Sequence, residues 1–272
     1  MHHANHFYGH AHIMADYAGL EYPPRIWGYL QHGWNILDGF AHGTEFVDGM
    51  PLFVWSDGVR RRGWSMNRRN YYVIGSPWSY LLKLHPHLAE PDPNASGTIF
   101  YPFHGWEGQH VLGDHGRIVQ SINEHENGPI TVCLYWNEYR NPDIRHVYEN
   151  AGFRVITHGY RGLYWRKTDE DFLLKQLTEV RRHKRVASNR LSSAVLYGAS
   201  IGLQPGVYGD PMLLQNEHPA FGGVARITRM WPEMDQPFVP MDIAKSFTDT
   251  ELGTDYLASP EEIRELFRWQ LN

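Results

Sequence analysis

Cysteine is nearly absent. Cys133 is the single one in 272 residues, so no disulfide can form within the chain, and its place in the apolar run "ITVCLYW" predicts a buried, inert thiol. Long apolar runs are missing too. Nothing approaches the roughly 20 residues that cross a bilayer, and the first residues lack the apolar core of a secretion signal. Together these predict a cytoplasmic protein with no membrane span. Nor is there a surplus of positive charge: 25 Lys and Arg stand against 30 Asp and Glu, a formal net charge of -5. That balance excludes a general attraction for nucleic acid. The one basic run, "EVRRHKR" at Glu179–Arg185, reads as the solvated end of a helix, where cations complement the dipole. Internal repeats and low-complexity tracts are absent as well.

What is present is the composition of a soluble globular protein, 42% apolar and 20% charged, with length for one large domain or two modest ones. Aromatic residues make up 14%, with 10 Trp and 16 Tyr, enough to line clefts as well as to fill a core. Short apolar runs alternate with amphipathic stretches, the pattern of an α/β protein with parallel strands. In the first half, strands are expected at "RIWGYL" (25–30), "LFVWS" (52–56), "YYVIG" (71–75) and "TIFYPF" (98–103), each followed by a polar or Gly/Pro loop. The second half alternates more regularly: strands at 130–136, 153–159, 185–189 and 204–210, and helices at 141–152 and 169–184. This order predicts a doubly wound domain from about 129 to 215. The division expected is 1–128 and 129–272. Near the end, Ser259, Pro260 and Glu262 form the start signal of a helix with a capping box.

In open α/β sheets, ligands bind outside the carboxyl ends of the strands. The stretch "SNRLSSAVLYGASIGLQPGVYGD" (188–210) has the right parts for such a site. Val195, Leu196 and Ala199, with Gly198 and Gly202, make a small-residue helix able to pack tightly on a sheet. Ser192 and Ser193 fall at its first turn, where unpaired N–H groups and the dipole favour a phosphate. An ordinary serine N-cap without a ligand fits the same residues.

The segment resembles the C-terminal half of two-domain nucleotide-sugar transferases of the GT-B fold, above all the capsular-polysaccharide and CDP-glycerol glycerophosphotransferase-like group. There a strand leads to a polar residue and a Ser/Thr pair at a helix start. A small-residue helix and a "G.P...Y" strand follow. The first half is similar to that group as well, in "GYLQHGWN", "LFVWSDG", "YYVIGSPW" and "TIFYPFHGWEG". The resemblance covers about residues 25–215, in order. It implies two Rossmann-like doubly wound domains facing a cleft, a compact GT-B-like α/β fold. It also implies transfer of a sugar or polyol-phosphate group from a nucleotide-activated donor to a hydroxyl acceptor. The nucleotide would be a substrate, with no tightly bound cofactor and no metal.

The roles it implies are specific. His32 is the candidate general base, an imidazole whose pKa lies near working pH, and Asp57 is a second candidate. His104 would contact the donor phosphate, and Glu107 a ribose hydroxyl or His104 itself. Ser192 and Ser193, with their helix N-terminus, would hold the departing nucleotide phosphate, with Asn189 and Arg190 also counted in the donor site and Tyr208 and Asp210 lining the cleft. The aromatic loops leave room for a homodimer.

Two other readings stand beside this one. His10 and His12, an "HxH" pair with Asp16 four residues on, are similar to the paired strand ligands of metal-dependent hydrolases. Scattered histidines such as His42, His158 and His218 do not complete a recognisable set. Within the transferase reading, "GHAHIMADYAGL" is instead an early helix facing the acceptor, in which His10, His12 or Asp16 touches substrate, or a polar helix start with no ligand. The third reading is a non-catalytic relative that keeps the fold as a binding module.

Overall fold

The structure, a computed structural model, describes residues 3–40, 44–162, 167–217 and 223–270. The chain forms two units. The first comprises Met1–His87, Tyr160–Leu174 and Phe247–Asn272, and the second Leu88–Gly159 and Lys175–Ser246.

In the first unit, α1 (His10–Tyr17) precedes β1 (Tyr29–Leu30), β2 (Leu52–Val54), α2 (Asp57–Ser65), β3 (Tyr71–Val73) and α3 (Pro77–Leu84). The three strands are parallel, in the order β1-β2-β3, with Phe53 opposite Leu30 on one side and Tyr72 on the other. β2 is apolar throughout and wholly buried, as a strand covered on both faces must be. Ser56 and Ser76 cap α2 and α3, accepting from Val59 N at 3.3 Å and Ser79 N at 3.1 Å. Pro77 opens α3 at the position where its missing N–H costs nothing.

In the second unit come β4 (Thr98–Tyr101), β5 (Val111–Leu112), α4 (His115–His125), β6 (Ile130–Cys133), α5 (Trp136–Arg140), α6 (Pro142–Asn150) and β7 (Arg154–Ile156). α7 (Phe172–Val180) enters it from the first unit. There follow β8 (Arg185–Ser188), α8 (Ser193–Ser200), β9 (Gln204–Val207), β10 (Leu213–Leu214) and α9 (Gly223–Met230). α10 (Met241–Leu252) then returns the chain to the first unit, which α11 (Pro260–Phe267) ends. Five strands form one parallel sheet in the order β7-β6-β4-β8-β9. Numbered along the chain this is 3-2-1-4-5, a doubly wound order that reverses at the β4/β8 pair. Its core joins Phe100, Val132 and Ala187 from the sheet to Ile118 and Ile122 of α4 and Tyr148 of α6, all fully buried. Gly198 of α8 is required here: a Cβ would meet Val186 Cγ1 of β8 at 2.4 Å. Glycine's cost inside a helix is accepted for this close approach.

The α/β class and the parallel strands agree with the sequence pattern. The division does not fall at 128/129. β4 is the central strand of the five-stranded sheet, paired with β6 on one side and β8 on the other, so it cannot belong with residues 1–87. The final segment also leaves the unit that precedes it. Ile263 and Phe267 of α11 are fully buried, and Phe267 packs on Phe53 of β2 at 4.7 Å between ring centroids. Asp57, expected in a turn, instead opens α2.

Among the described residues, no helix is long and apolar enough to cross a membrane. Cys133 is buried, and that burial pushes its thiol pKa far up.

Candidate functional site

The strand-order reversal brings two segments to the carboxyl ends of β4 and β8. One is the loop 102–110 after β4. The other is Asn189–Ser192, which leads into α8. Three side chains fix the first of these. Asn189, buried beyond the end of β8, accepts from Phe103 N at 2.6 Å, while its amide nitrogen donates to the Asp210 carbonyl at 2.6 Å. Glu138, in the short α5 just past β6, accepts from Gly105 N at 2.9 Å. Tyr135 donates its hydroxyl to Glu107 at 2.8 Å, and its ring lies 4.7 Å from that of His104. The loop is therefore held from both neighbouring strands.

His104 is exposed at this rim. Its Nδ1 donates to the Gly105 carbonyl at 2.7 Å, which commits that nitrogen and leaves Nε2 as the ring's other polar atom. Beyond the end of β8, Ser192 is the N-cap of α8 in extended conformation (φ -149, ψ 167), and its side chain makes no capping bond. Ser192 thus leaves the positive dipole end of α8 without a cap from its own side chain. Ser193 is the first helical residue, and both serines are half-buried.

Two residues grouped with this site by sequence point elsewhere. Arg190 is a structural clamp. Its guanidinium donates to the carbonyls of Pro211 (2.6 Å) and Met212, pairs with Glu217 at 3.3 Å, and stacks 3.7 Å over the Phe103 ring. Those contacts tie down 211–217 and leave the side chain no reach toward a phosphate. Tyr208 belongs to the core. Its hydroxyl donates to Glu126 at 2.8 Å, and Glu126 also binds Arg185 and Thr98 at the amino ends of β8 and β4. That direction is away from the carboxyl ends. Burial, then the charge of Glu126, raises the Tyr208 pKa. Asp210 is half-buried, accepting from Met212 N at 2.9 Å.

The first-unit candidates also separate. His32 follows β1 at its carboxyl end, with its N–H donating to Gly39 O at 2.9 Å and its ring beside Phe7 and Tyr8, at 5.0 and 5.2 Å. Asp57 is held in ion pairs with Arg60 and Arg61 one turn on, so it serves the first turn of α2.

The HxH pair does not converge. On a strand, positions i and i+2 share a face, but His10 and His12 lie on helix α1, where they point about 200° apart. His10 is fully buried, and among the described residues neither ring nitrogen has a hydrogen-bond partner. Burial lowers its pKa to about 3, which keeps the imidazole neutral. His12 turns to Glu170 at 3.1 Å. His158 is buried against the Tyr101 hydroxyl at 2.9 Å. His42 and His218 lie outside the described residues. Among the described residues no group of three His, Cys, Asp or Glu side chains is placed to hold a metal ion.

Sequence reasoning missed Glu138 and Tyr135. The available signal was position: "LYWNEYR" directly follows the strand 130–133 at its carboxyl end.

No family model matches the chain, and no curated protein matches it. Among solved structures it is similar to a Listeria monocytogenes protein provisionally assigned as a UDP-N-acetylglucosamine 2-epimerase, with 12% identity over 77% of this chain and 54% of that one and a TM-score of 0.37. It is similar to the UDP-GlcNAc 2-epimerase of Neisseria meningitidis bound to UDP-GlcNAc (12% identity, 79% and 61%, TM-score 0.37). The wall teichoic acid polymerase TagF gives 12% identity, 80% and 53%, and a TM-score of 0.30. The chain spans between about half and three-fifths of the length of these structures. The α/β class rests on the strand order above, not on these superpositions.

Proposed function

We propose that the chain is a glycosyltransferase-like enzyme, transferring a sugar or polyol-phosphate group from a nucleotide-activated donor to a hydroxyl acceptor. The donor's phosphates bind at the start of α8. The observation that carries this reading is the N-terminus of α8, to which the Ser192 side chain gives no cap, standing where the strand order reverses. A helix start of this kind binds phosphate through N–H groups and the dipole together. The order of the sequence motifs, similar to that of GT-B transferases over residues 25–215, supports it.

In this reading Ser192, Ser193 and Nε2 of His104 stabilise the charge that develops on the departing nucleotide, usually a large catalytic contribution. Glu107 takes a ribose hydroxyl. Asn189 and Glu138 position the loop and do not touch the donor. His32 is the base for the acceptor hydroxyl. The nucleotide enters as substrate.

The test is thermal unfolding against CMP, CDP, UDP, GDP and ADP, with Ser193→Ala alongside. Ligand at a hundred times its dissociation constant stabilises by about 2.7 kcal/mol, a shift of roughly 5–10 °C at this size. A shift with one nucleotide, lost in Ser193→Ala, is the expected result. No shift with any of them refutes the reading. Binding without turnover of the matching sugar nucleotide identifies a binding module.

A further inference from the structure

Residues 60–69 read "RRRGWSMNRR", five arginines in ten positions. Four have carboxylate partners: Arg60 and Arg61 share Asp57, Arg62 pairs with Glu251, and Arg68 with Asp38. Arg69 is the exception. Among the described residues it has no carboxylate partner. Its Nη1 donates to the backbone carbonyls of Trp64 and Arg68, at 3.2 and 2.8 Å. Those bonds orient the guanidinium and leave Nε and Nη2 for another acceptor.

Arg69 lines a shallow cavity of about 400 Å3, open to solvent, together with Trp64, Asn70 and Tyr71. The cavity lies at the amino end of β3, the opposite end of the first unit's sheet from His32. Its walls are already fixed. The Arg60 guanidinium covers one face of Trp64 at 4.9 Å, and the ring is 47% exposed. Tyr71 donates to Asp38 at 2.9 Å and fits so closely under α2 that a Cβ on Gly63 would stand 2.0 Å from its hydroxyl. Asn70, held in the left-handed region at φ 65, donates its amide nitrogen to Gly49 O at 2.9 Å. Its amide oxygen is then directed as an acceptor. Little ordering remains to oppose binding.

An indole face, a fixed carboxamide oxygen and a guanidinium without a counter-charge match a pyranose that carries an acid group. The sugar's C–H face lies on the indole, a hydroxyl donates to Asn70, and the acid oxygens meet the Arg69 fork. We propose that this cavity is a binding site for an acidic saccharide, bearing a carboxylate or a phosphate. It is separate from the start of α8 and does not depend on the donor-site reading.

The experiment is calorimetric titration of the full chain with three probes: a glucuronate-containing tetrasaccharide, glucose 6-phosphate and the neutral cellotetraose. Trp64→Ala and Arg69→Gln change exposed side chains, and circular dichroism checks that both variants are folded. An acidic probe is expected to bind at least about tenfold more tightly than cellotetraose. Each variant is expected to weaken that binding about tenfold or more. Added salt should weaken it in the unmodified chain and much less in Arg69→Gln. The acidic probe that binds identifies carboxylate or phosphate as the recognised group. Three results overturn the proposal: no heat from either acidic probe at millimolar concentration, equal binding by both variants, or a mononucleotide that outcompetes both acidic sugars at these same residues.

Discussion

Asn189 uses both ends of its carboxamide, one to hold the loop after β4 and the other to hold the turn after β9. Replacing it with Ala leaves a partly buried N–H and a carbonyl unmatched, each costing about 1–3 kcal/mol. Asn189→Ala is therefore expected to destabilise by roughly 2–4 kcal/mol, read from the urea midpoint. Asn189→Asp keeps an acceptor for Phe103 N but sets a carboxylate oxygen against the Asp210 carbonyl, so its midpoint should fall at least as far. Arg190, one residue on, carries a lesson about reading charge. Beside a serine pair an arginine reads as a phosphate ligand, and nothing local shows that its acceptors are Pro211, Met212 and Glu217, more than twenty positions away.

At the scale of elements, legibility followed the physics of burial. β4, β6, β8 and β9 are buried but for one end residue each, so they stand out in the sequence, and all four fall inside the expected spans; the part-exposed edge strand β7 also falls inside 153–159. α2 was illegible because its buried residues are only Val59 and Gly63; a helix so polar shows no apolar stripe, and its "SDG" start looks like a turn. β5 and β10 pair across a hundred residues, which no short pattern reveals. The start of α11 was legible because its signal is local. Ser259 accepts from Glu262 N at 3.2 Å, and Glu262 accepts from Ser259 N at 2.7 Å. Ser259→Ala is expected to cost about 1 kcal/mol, measured as a lowered unfolding midpoint, with Ser259→Thr close to the unmodified chain. Of the candidate site, the Ser pair and the His104 loop could be read from sequence, whereas Glu138 and Tyr135 depend on which strands become neighbours.

At the scale of the whole molecule, stability is tied to pH through buried imidazoles in both units. Burial lowers the pKa of His6 to about 4, of His10 to about 3 and of His158 to about 4; the charge of His12 adds to the effect at His6. In the unfolded chain these groups titrate near 6.5, so below that pH the unfolded state binds protons that the folded state refuses. Their stabilising contribution is full above pH 6.5 and falls as the pH drops toward 4 and 3. Each imidazole contributes a slope of about 1.4 kcal/mol per pH unit. Urea unfolding at pH 7.5, 6.5 and 5.5 should show the loss beginning below 6.5, ahead of the carboxylates. His10→Met should flatten the slope by about one imidazole's share.

The first unit draws on residues far along the chain to close over its early strands. Glu251 accepts from both Arg62 and the Trp34 indole, and Phe267 seals Phe53. A ribosome adding about 5–20 residues each second therefore releases β1–β3 long before their partners exist, a wait on the order of ten seconds. The second unit, whose five-stranded sheet lies between 98 and 207, has that sheet in hand earlier. Synthesis then runs against chain order: the sheet of the second unit is complete before residues 1–87 receive the later segment 247–267 that packs on them.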